Sequence, residues 1–522
     1  MSWWQDAAVY QVYVRSFADS DNDGIGDLPG ITARLPHLVE LGADAVWLTP
    51  FYRSPMADGG YDVADQCDVD PLFGTLADAD ALLARAHEVG LRVIVDLVPN
   101  HSSDEHAWFR QALADPASPM RDRYLFRTGR GEGPPNDWES VFGGSAWTRA
   151  EGDQWYLHLF DSKQPDFDWR HPAVHEEWER ILRFWLDRGV DGFRIDVAHG
   201  LYKQADLADH PEGLEPEGVL FHASAAPNAW DQPEVVEVYR RWREITDSYD
   251  DRVMVGEVFL AKLDRVVRFV GADRLHQSFN FPLLAAPFEA ATWERLLRAS
   301  LRAFDVQGAS PTWVLSNHDV VRHPTRYGGG EGGRERARAA TLTLLALPGS
   351  PYLYQGEELG LEQDDLPAQT RQDPIWVRSG GAVEGRDGCR TPMPWTSTPP
   401  GHGFTDGTPW LPLGEQARSL SVAAQTADPT STLAFYRRAL AARSALRAGL
   451  GREVRWLEAP ADCLAFARSH TAGAELVCVL NTGEQTRELA LDGEVVVASG
   501  AGAAVEGGVL TVPAHSAVWL RR

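Results

Sequence analysis

Eight short β-rich runs, each followed by a segment long enough to form a helix, recur between residue 8 and residue 355 of this chain. Strands that alternate with helices pair in parallel, and eight such units predict a closed (β/α)8 barrel. Hydrophobic residues make up 44% of the sequence and charged residues 24%, which is typical of a folded protein and excludes extended disorder. The predicted strands are Ala8–Arg15, Ala45–Pro50, Arg92–Pro99, Gly192–Val197, Val253–Glu257, Ser278–Phe281, Trp313–Ser316 and Tyr352–Gln355.

The intervals between these runs are uneven, and the long ones predict insertions. Residues 100–170 are rich in Pro, Gly, Trp and Asp and exceed what one crossover helix needs, so they predict a small domain over the barrel mouth. Residues 201–231 predict a second insertion that shapes the substrate entrance. After residue 450, short apolar runs separated by Gly, Asp and Thr predict an antiparallel β-sandwich. The predicted division is residues 1–99 and 171–450 for the barrel, 100–170 for the inserted domain and 451–522 for the sandwich.

The charge and cysteine patterns limit the partners of the chain. A formal net charge of −26 argues against nucleic acid and against an anionic membrane surface, which both require clustered Lys and Arg. A neutral or cationic small molecule, or another protein, remains; no pattern predicts the oligomeric state. Neither a secretory leader nor a membrane-spanning stretch is visible. The scattered Cys67, Cys389, Cys463 and Cys478 are typical of reduced thiols, which predicts a cytoplasmic location.

Several predicted strands end in charged residues after wholly apolar runs. These residues are Asp96, Asp196, Glu257 and the group Asn317-His318-Asp319. One Asp at a strand end is more often a helix cap or a turn former. The C-terminal strand ends of a parallel barrel share one face, however, so several acidic ends accompanied by His and Arg predict a common site there.

The spacing of Arg194 and Asp196 places both side chains on one face of a strand. A guanidinium beside Asp196 favours the ionised carboxylate that a nucleophile requires, although a plain buried ion pair is the alternative. Glu257 follows an apolar run, and burial there would raise its pKa and keep it protonated as a proton donor. Two carboxyl groups in opposed environments are typical of enzymes that cleave glycosidic bonds.

Four motifs resemble those of the α-amylase superfamily, glycoside hydrolase family 13, and within it the α-glucosidase and oligo-1,6-glucosidase branch. They are DLVPNH at 96–101, GFRIDVAH at 192–199, Gly256-Glu257-Val258 and Asn317-His318-Asp319. The resemblance extends over essentially the whole chain. It implies a TIM barrel with an inserted domain and a C-terminal β-sandwich.

The resemblance also implies roles for individual residues. Asp196 would be the nucleophile, Glu257 the acid/base and Asp319 the stabiliser of the oxocarbenium-like transition state. Asp62 and Arg390 would form an ionic clamp around the non-reducing-end glucose, and the closed pocket would make the action exo. Tyr61 would stack on that sugar, with a packed core residue as the alternative. The remaining predicted sugar-binding residues are His101, Phe142, Gln164, Arg194 and His318.

These roles predict an exo-acting, retaining α-glucosidase that acts on short oligosaccharides. In this branch, Val at the position of Val197, after the nucleophile, is associated with α-1,6 cleavage. Ala198 and His199, however, differ from the Ile-Asn that usually follows that Val. Maltose-like α-1,4 substrates are therefore favoured, and α-1,6 cleavage stays open. A transglucosidase or sugar isomerase of the same family is the main alternative. A non-catalytic barrel relative and a pure sugar-binding module are further ones, disfavoured because all three acids are present.

A loop at 19–27 places carboxylates at every second residue, with a Gly for the turn. Oxygen ligands at this spacing suit Ca²⁺ or Mg²⁺, but the pattern is not an EF-hand, because Gly30 stands where that motif requires Glu. A solvated acidic turn is the alternative. The resemblance implies a structural ion remote from the chemistry and no cofactor for catalysis. The predicted ligands are Asp19, Asp21, Asp23, Asp27 and the carbonyl oxygen of Ile25.

Overall fold

The structure is a computed structural model that describes residues 2–211, 228–471 and 473–522. Its strands, in chain order, are β1 Val9–Val12, β2 Ala45–Leu48, β3 Tyr52–Arg53, β4 Asp65–Val69, β5 Arg92–Leu97, β6 Phe126–Thr128, β7 Trp147–Arg149, β8 Gln154–Leu157, β9 Gly192–Ile195, β10 Val253–Gly256, β11 Gln277–Ser278, β12 Thr312–Val314, β13 Ser350–Tyr354, β14 Arg455–Leu457, β15 Cys463–Ser469, β16 Glu475–Asn481, β17 Arg487–Leu489, β18 Glu494–Ala498, β19 Ala504–Glu506, β20 Val509–Val512 and β21 Ser516–Arg521. The helices are α1 Leu28–Leu41, α2 Leu76–Glu88, α3 Ala107–Ala114, α4 Pro172–Asp187, α5 Val235–Asp247, α6 Leu263–Val266, α7 Ala290–Val306, α8 His323–Arg326, α9 Gly330–Leu345, α10 Pro374–Arg378, α11 Val422–Thr426 and α12 Thr432–Arg447.

The main sheet is an eight-stranded, nearly closed barrel with the strand order β11-β10-β9-β5-β2-β1-β13-β12. Every pairing within it is parallel. The two end strands, β11 and β12, are joined by the hydroxyl of Thr312, which donates to the Ser278 carbonyl at 3.1 Å and accepts from the Asn280 N–H at 3.2 Å. The predicted fold class is confirmed, and each of the eight predicted runs contains or overlaps a barrel strand.

No side chain fits at Gly192, where β9 pairs with β10. A Cβ at Gly192 would lie 2.6 Å from the Val253 carbonyl oxygen, a distance that real Cβ atoms do not adopt. All residues of both strands are buried. Such continuous burial is expected for parallel strands covered by helices.

The segment between β5 and α4 carries α3 and a three-stranded antiparallel sheet in the order β6-β8-β7. A buried ion pair attaches this segment to the barrel: Lys203 Nζ lies 2.7 Å from Asp166 Oδ2, and both side chains are fully buried. Lys203 also donates to Asn100 Oδ1 at 2.7 Å, directly after β5. Within the predicted second insertion, residues 212–227 lie outside the described residues, and its role at the entrance stays a prediction.

The C-terminal strands form two antiparallel sheets, in the orders β14-β15-β16-β21-β18 and β17-β20-β19. Val477, Val479 and Val518 from the larger sheet pack with Leu510 and Val512 from the smaller one in a shared apolar cluster. The two faces therefore form a sandwich, as predicted. Among the residues that the structure describes, no helix combines the length and the apolar character that crossing a membrane would require.

Candidate active site

A narrow cavity opens at the C-terminal ends of the barrel strands, and we call it the catalytic pocket. Its empty volume is about 340 Å³, part of it open to solvent. The polar lining comes from strand ends and loops, and the apolar lining comes largely from Phe side chains. The lining residues are Asp58, Tyr61, His101, Phe142, Phe160, Asp196, Val197, Glu257, Phe259, His318, Asp319 and Arg386.

Arg194, on β9, holds three carboxylates at the floor of this pocket. Its Nη1 lies 2.6 Å from Asp196 Oδ1 and 3.1 Å from Asp96 Oδ1, and its Nη2 lies 2.6 Å from Glu257 Oε1. The Arg194 side chain is 2% exposed, so these charge-assisted contacts are shielded from water. One guanidinium therefore places the carboxyl groups of Asp196 and Glu257 side by side, where the sequence predicted contact with Asp196 alone.

Burial governs the ionisation of both carboxyl groups. Burial raises the pKa of Asp196, which Arg194 opposes and the neighbouring Glu257 reinforces. Burial likewise raises the pKa of Glu257, and again Arg194 opposes it. Two acids this close cannot both ionise easily, so the pair retains a proton more readily than either group would alone. That proton is what an acid catalyst needs.

Asp319 has the opposite environment. Although burial acts to raise its pKa, the surrounding positive groups hold that pKa below its ordinary value. Arg386 Nη1 lies 3.0 Å and Arg390 Nη2 2.9 Å from Asp319 Oδ1. The adjacent His318 has a pKa lowered by burial and is neutral at pH 7, so the two arginines carry most of the effect. Asp319 is therefore a fixed negative charge opposite the Asp196–Glu257 pair.

The clamp expected from Asp62 and Arg390 is formed by a different pair. Arg386 Nη2 lies 2.7 Å from Asp58 Oδ1, and both residues line the catalytic pocket. Asp62 is fully buried, and its carboxylate accepts the N–H groups of residues 57 and 58. Arg390 bonds to Asp319 and to the His318 carbonyl. The predicted pairing is therefore wrong: Asp62 supports the loop that presents Asp58, and Arg390 supports Asp319.

A signal for the correct pair is present in the sequence. Asp58 and Asp62 are four residues apart, and so are Arg386 and Arg390, so either member of each pair was available. Arg386 is further oriented by Asp373, whose Oδ2 accepts its Nε–H at 2.6 Å. The spacing alone does not predict which Asp pairs with which Arg, because the pairing depends on how two loops that are distant in the sequence pack together.

The other predicted polar residues form one network beside the pocket. Tyr61 donates its hydroxyl to Asp96 at 2.9 Å, and its ring is parallel to that of His318, with centroids 5.3 Å apart. His101 Nε2 lies 3.1 Å from both the Tyr61 carbonyl and Gln164 Nε2. Gln164 is fully buried and donates to Asp58 at 3.2 Å, so it lies behind the pocket lining and fixes Asp58.

The side of the pocket near Glu257 is apolar. Phe259 follows Glu257 by two residues, and Val197 follows Asp196; both line the cavity. Phe160 meets the predicted residue Phe142 edge-on at 5.7 Å, and the Arg386 guanidinium lies 5.2 Å from the centre of the Phe142 ring. The sequence motifs gave no sign of Phe160 or Phe259, because an aromatic residue in a loop is usually a core residue.

The acidic loop brings together three of its predicted ligands. Carboxylate oxygens of Asp19, Asp21 and Asp27 all lie within 4.8 Å of one another, a spacing that a cation with oxygen ligands at about 2.3–2.6 Å would span. Asp23 is outside this group and accepts the Ile25 N–H at 2.8 Å. Burial raises the pKa of Asp27, hydrogen bonds from Ser20 and the Gly30 N–H oppose this, and Asp19 adds a smaller increase. These residues fit a hard divalent cation.

This chain is similar in sequence and in fold to known carbohydrate-active enzymes. Residues 11–449 match the family model described as "Alpha amylase, catalytic domain". A "Probable alpha-glucosidase" of Rhizobium meliloti is 42% identical over 511 residues, covering 93% of this chain and 91% of the relative. An oligo-1,6-glucosidase of Parageobacillus thermoglucosidasius is 36% identical, covering 84% and 83%. The crystal structure of XgtA, an alpha-glucosyl transfer enzyme, is 39% identical with a TM-score of 0.91, covering 100% of this chain and 99% of XgtA.

Proposed function

Because this chain belongs to the α-amylase family of glycoside hydrolases, in its α-glucosidase branch, we propose that it is an exo-acting, retaining α-glucosidase that releases terminal glucose from short oligosaccharides. The observation that carries the proposal is the pair of carboxyl groups, Asp196 and Glu257, held by one guanidinium in the catalytic pocket. Retaining glycosidases need two carboxyl groups only about 5–5.5 Å apart, and a shared Arg194 supports such a short separation.

In the first step Glu257 donates its proton to the glycosidic oxygen while Asp196 attacks the anomeric carbon. The C–O bond to the leaving sugar breaks, and a covalent β-glucosyl ester forms at Asp196. Arg194 compensates the charge that moves between the two carboxyl groups. The fixed negative charge of Asp319 stabilises the oxocarbenium-like transition state.

In the second step the ionised Glu257 takes a proton from water, and the resulting hydroxide attacks the anomeric carbon. The ester bond to Asp196 breaks, and glucose leaves with the α configuration. Glu257 recovers its proton and Asp196 its negative charge.

The exo mode is supported by the closed end of the pocket. The Asp58–Arg386 ion pair lines one end and offers charged hydrogen-bond partners to the hydroxyls of a terminal glucose. Arg378 on α10 donates to the Gly143 carbonyl at 2.7 Å and lies 3.3 Å from Asp161, which joins the loop before Arg386 to the inserted segment. These contacts support an end that a chain of sugars does not pass, and we therefore propose that cleavage occurs at the terminal residue.

Glucosyl transfer is the second candidate activity. Val197, whose N–H donates to Glu257, and Phe259 add apolar side chains to the pocket lining, and such a lining would favour a sugar over water as the second nucleophile. A sugar hydroxyl that binds there would intercept the same ester. The likeness to XgtA supports this possibility, and it is the reason to measure products as well as rates.

A product time course with maltose, isomaltose, sucrose and trehalose tests the proposal. We expect maltose to be cleaved most efficiently, with isomaltose slower, and α-glucose to be the first anomer seen by ¹H NMR. Larger or rearranged sugars with little free glucose would make the enzyme a transglucosidase or isomerase. Release of β-glucose first, or no turnover of any of the four sugars, would contradict the retaining α-glucosidase.

We further propose that Asp19, Asp21 and Asp27 hold a structural Ca²⁺ or Mg²⁺, with the Ile25 carbonyl and Asp23 as candidate ligands. Binding to the folded state alone raises stability, so EDTA is expected to lower Tm by about 5 °C and added Ca²⁺ or Mg²⁺ to restore it. The rate well below Tm should not change. Calorimetry of Asp21→Asn, with Asp305→Asn as the exposed control, checks the site. An EDTA effect that persists in Asp21→Asn would refute it.

A further inference from the structure

His199 is a buried histidine that the proposed mechanism does not use. Its side chain is fully buried, and among the residues described neither ring nitrogen has a hydrogen-bond partner of good geometry. The imidazole stacks on Trp230, with ring centroids 5.0 Å apart, and meets the Phe259 ring edge-on at 4.1 Å. A ring packed on two sides in this way fixes the backbone that carries it.

That backbone is the turn 197–199, which follows the nucleophile directly. Val197 has a φ of 45°, a left-handed conformation that strains a β-branched residue and persists only where the surroundings hold it. In this conformation the Val197 N–H donates to Glu257 Oε2 at 3.1 Å. The Ala198 N–H donates to the Glu257 carbonyl at 2.9 Å. The strained turn therefore contacts both the side chain and the main chain of Glu257.

We propose that His199 is a positioning residue for the acid/base: its ring, held between Trp230 and Phe259, keeps the turn 197–199 in place so that the Val197 N–H donates to Glu257. The inference rests on the proposed function, because it takes Glu257 as the acid/base. Burial lowers the pKa of His199 to about 3, opposed by the Glu257 main chain and reinforced by Arg265 and Lys203. The ring is therefore neutral and fills its space without adding charge beside the catalytic carboxyl groups.

The Val197 hydrogen bond has a predictable effect on the pH profile. Burial raises the pKa of Glu257 most, while Arg194 and the Val197 N–H lower it. The other charged groups that face it are Asp319, which raises the pKa, and Asp196, whose hydrogen bond lowers it. Loss of the Val197 N–H would leave the ionised carboxylate less stabilised, so the pKa would rise. Since the first step needs protonated Glu257, the basic limb of kcat/KM would move to higher pH.

His199→Ala is expected to lower kcat about tenfold and to move the basic limb of kcat/KM upward by about 0.5–1 pH unit. His199→Phe keeps a ring of similar size between its aromatic neighbours and should restore both values towards those of the wild type. His276→Ala is the matched control, because His276 is also a buried histidine beside β10. It accepts the N–H of Met254, which lies towards the start of β10, whereas Glu257 follows the end of that strand. This control should lower Tm without moving the basic limb.

A crystal structure of His199→Ala gives a second readout that needs no substrate. The distance from Val197 N to Glu257 Oε2 is expected to exceed hydrogen-bonding range in the variant. A folded His199→Ala protein with this distance still near 3.1 Å, or with an unshifted basic limb, would overturn the positioning role. Failure of the proposed function would look different, because the wild-type enzyme would then turn over no α-glucoside while the crystallographic distance remained measurable.

Discussion

Replacing Asp196 with Asn is expected to lower kcat by about 10⁴-fold or more while leaving Tm within a few degrees of the wild type. The amide is a poor nucleophile, so the covalent ester does not form. The substitution preserves the shape of the side chain and leaves an oxygen to accept from Arg194, so the fold should tolerate it. Steady-state rates on 4-nitrophenyl α-glucoside, together with calorimetry, measure both quantities. Retention of more than about a tenth of the activity would contradict the nucleophile assignment.

Rescue by azide separates the two catalytic roles. In Asp196→Gly, azide occupies the space of the lost carboxylate and attacks directly, so the expected product is β-glucosyl azide. In Glu257→Ala the ester still forms on an activated substrate, and azide then attacks it, so the expected product is α-glucosyl azide. The anomeric configuration of each product is read by NMR. The same anomer from both variants would mean that the roles of the two carboxyl groups are not as proposed.

Replacing Asp58 with Asn is expected to lower kcat/KM by about 10²–10³-fold. The amide cannot balance the buried charge of Arg386, whose guanidinium also orients Asp319. The terminal glucose would lose a charged partner that must hold it throughout the reaction. Arg386→Ala should produce a loss at least as large, because it leaves the carboxylates of Asp58, Asp319 and Asp373 without their shared cation.

Asp62→Asn is the matched control for Asp58→Asn. Burial raises the pKa of Asp62 to about 7, so its carboxyl group is partly neutral in the wild type, and an amide oxygen can still accept from a backbone N–H. We expect a lower Tm and a loss in kcat/KM of less than about tenfold. Equal losses from Asp58→Asn and Asp62→Asn would restore the original expectation that Asp62 grips the sugar.

Local sequence patterns made the barrel strands and the positions of the proposed catalytic acids predictable. Buried parallel strands appear in the sequence as apolar runs, and polar residues directly after them must lie at one face, which brings Asp196, Glu257 and Asp319 together. The alternation of side chains along β9 predicted that Arg194 would reach Asp196. Contact between Arg194 and Glu257 crosses from β9 to the residue after β10, and the alternation of side chains along one strand does not reveal it.

The clamp was not predictable because it joins two loops more than 300 residues apart in the sequence. Each loop offers two equivalent charges at a four-residue spacing, and the correct member depends on which one faces the cavity. The wrong members, Asp62 and Arg390, are not idle, since each fixes a pocket residue. The tertiary packing of loops determines which charged residues pair, whereas the hydrophobic pattern of the sequence determines where the strands lie.

The barrel closes between β11 and β12 through Thr312, and this junction separates the strands that carry Asp196 and Glu257 from the strand that precedes Asp319. Elsewhere in the ring adjacent strands share a ladder of backbone hydrogen bonds. Across the gap after β11, the described residues are joined through side chains instead: Thr312 bonds to the backbone of residues 278 and 280, and Gln277 bonds to Ser350 and Tyr352 of β13. Asp196 and Glu257 belong to strands on one side of this seam, and Asp319 follows β12 on the other. Sheet motion concentrates where backbone bonds are fewest, so a small opening at Thr312 would widen the gap across which the negative charge of Asp319 acts on the reacting sugar. The relative positions of Asp196, Glu257 and Asp319 therefore depend in part on Thr312, which is not among the residues that line the catalytic pocket.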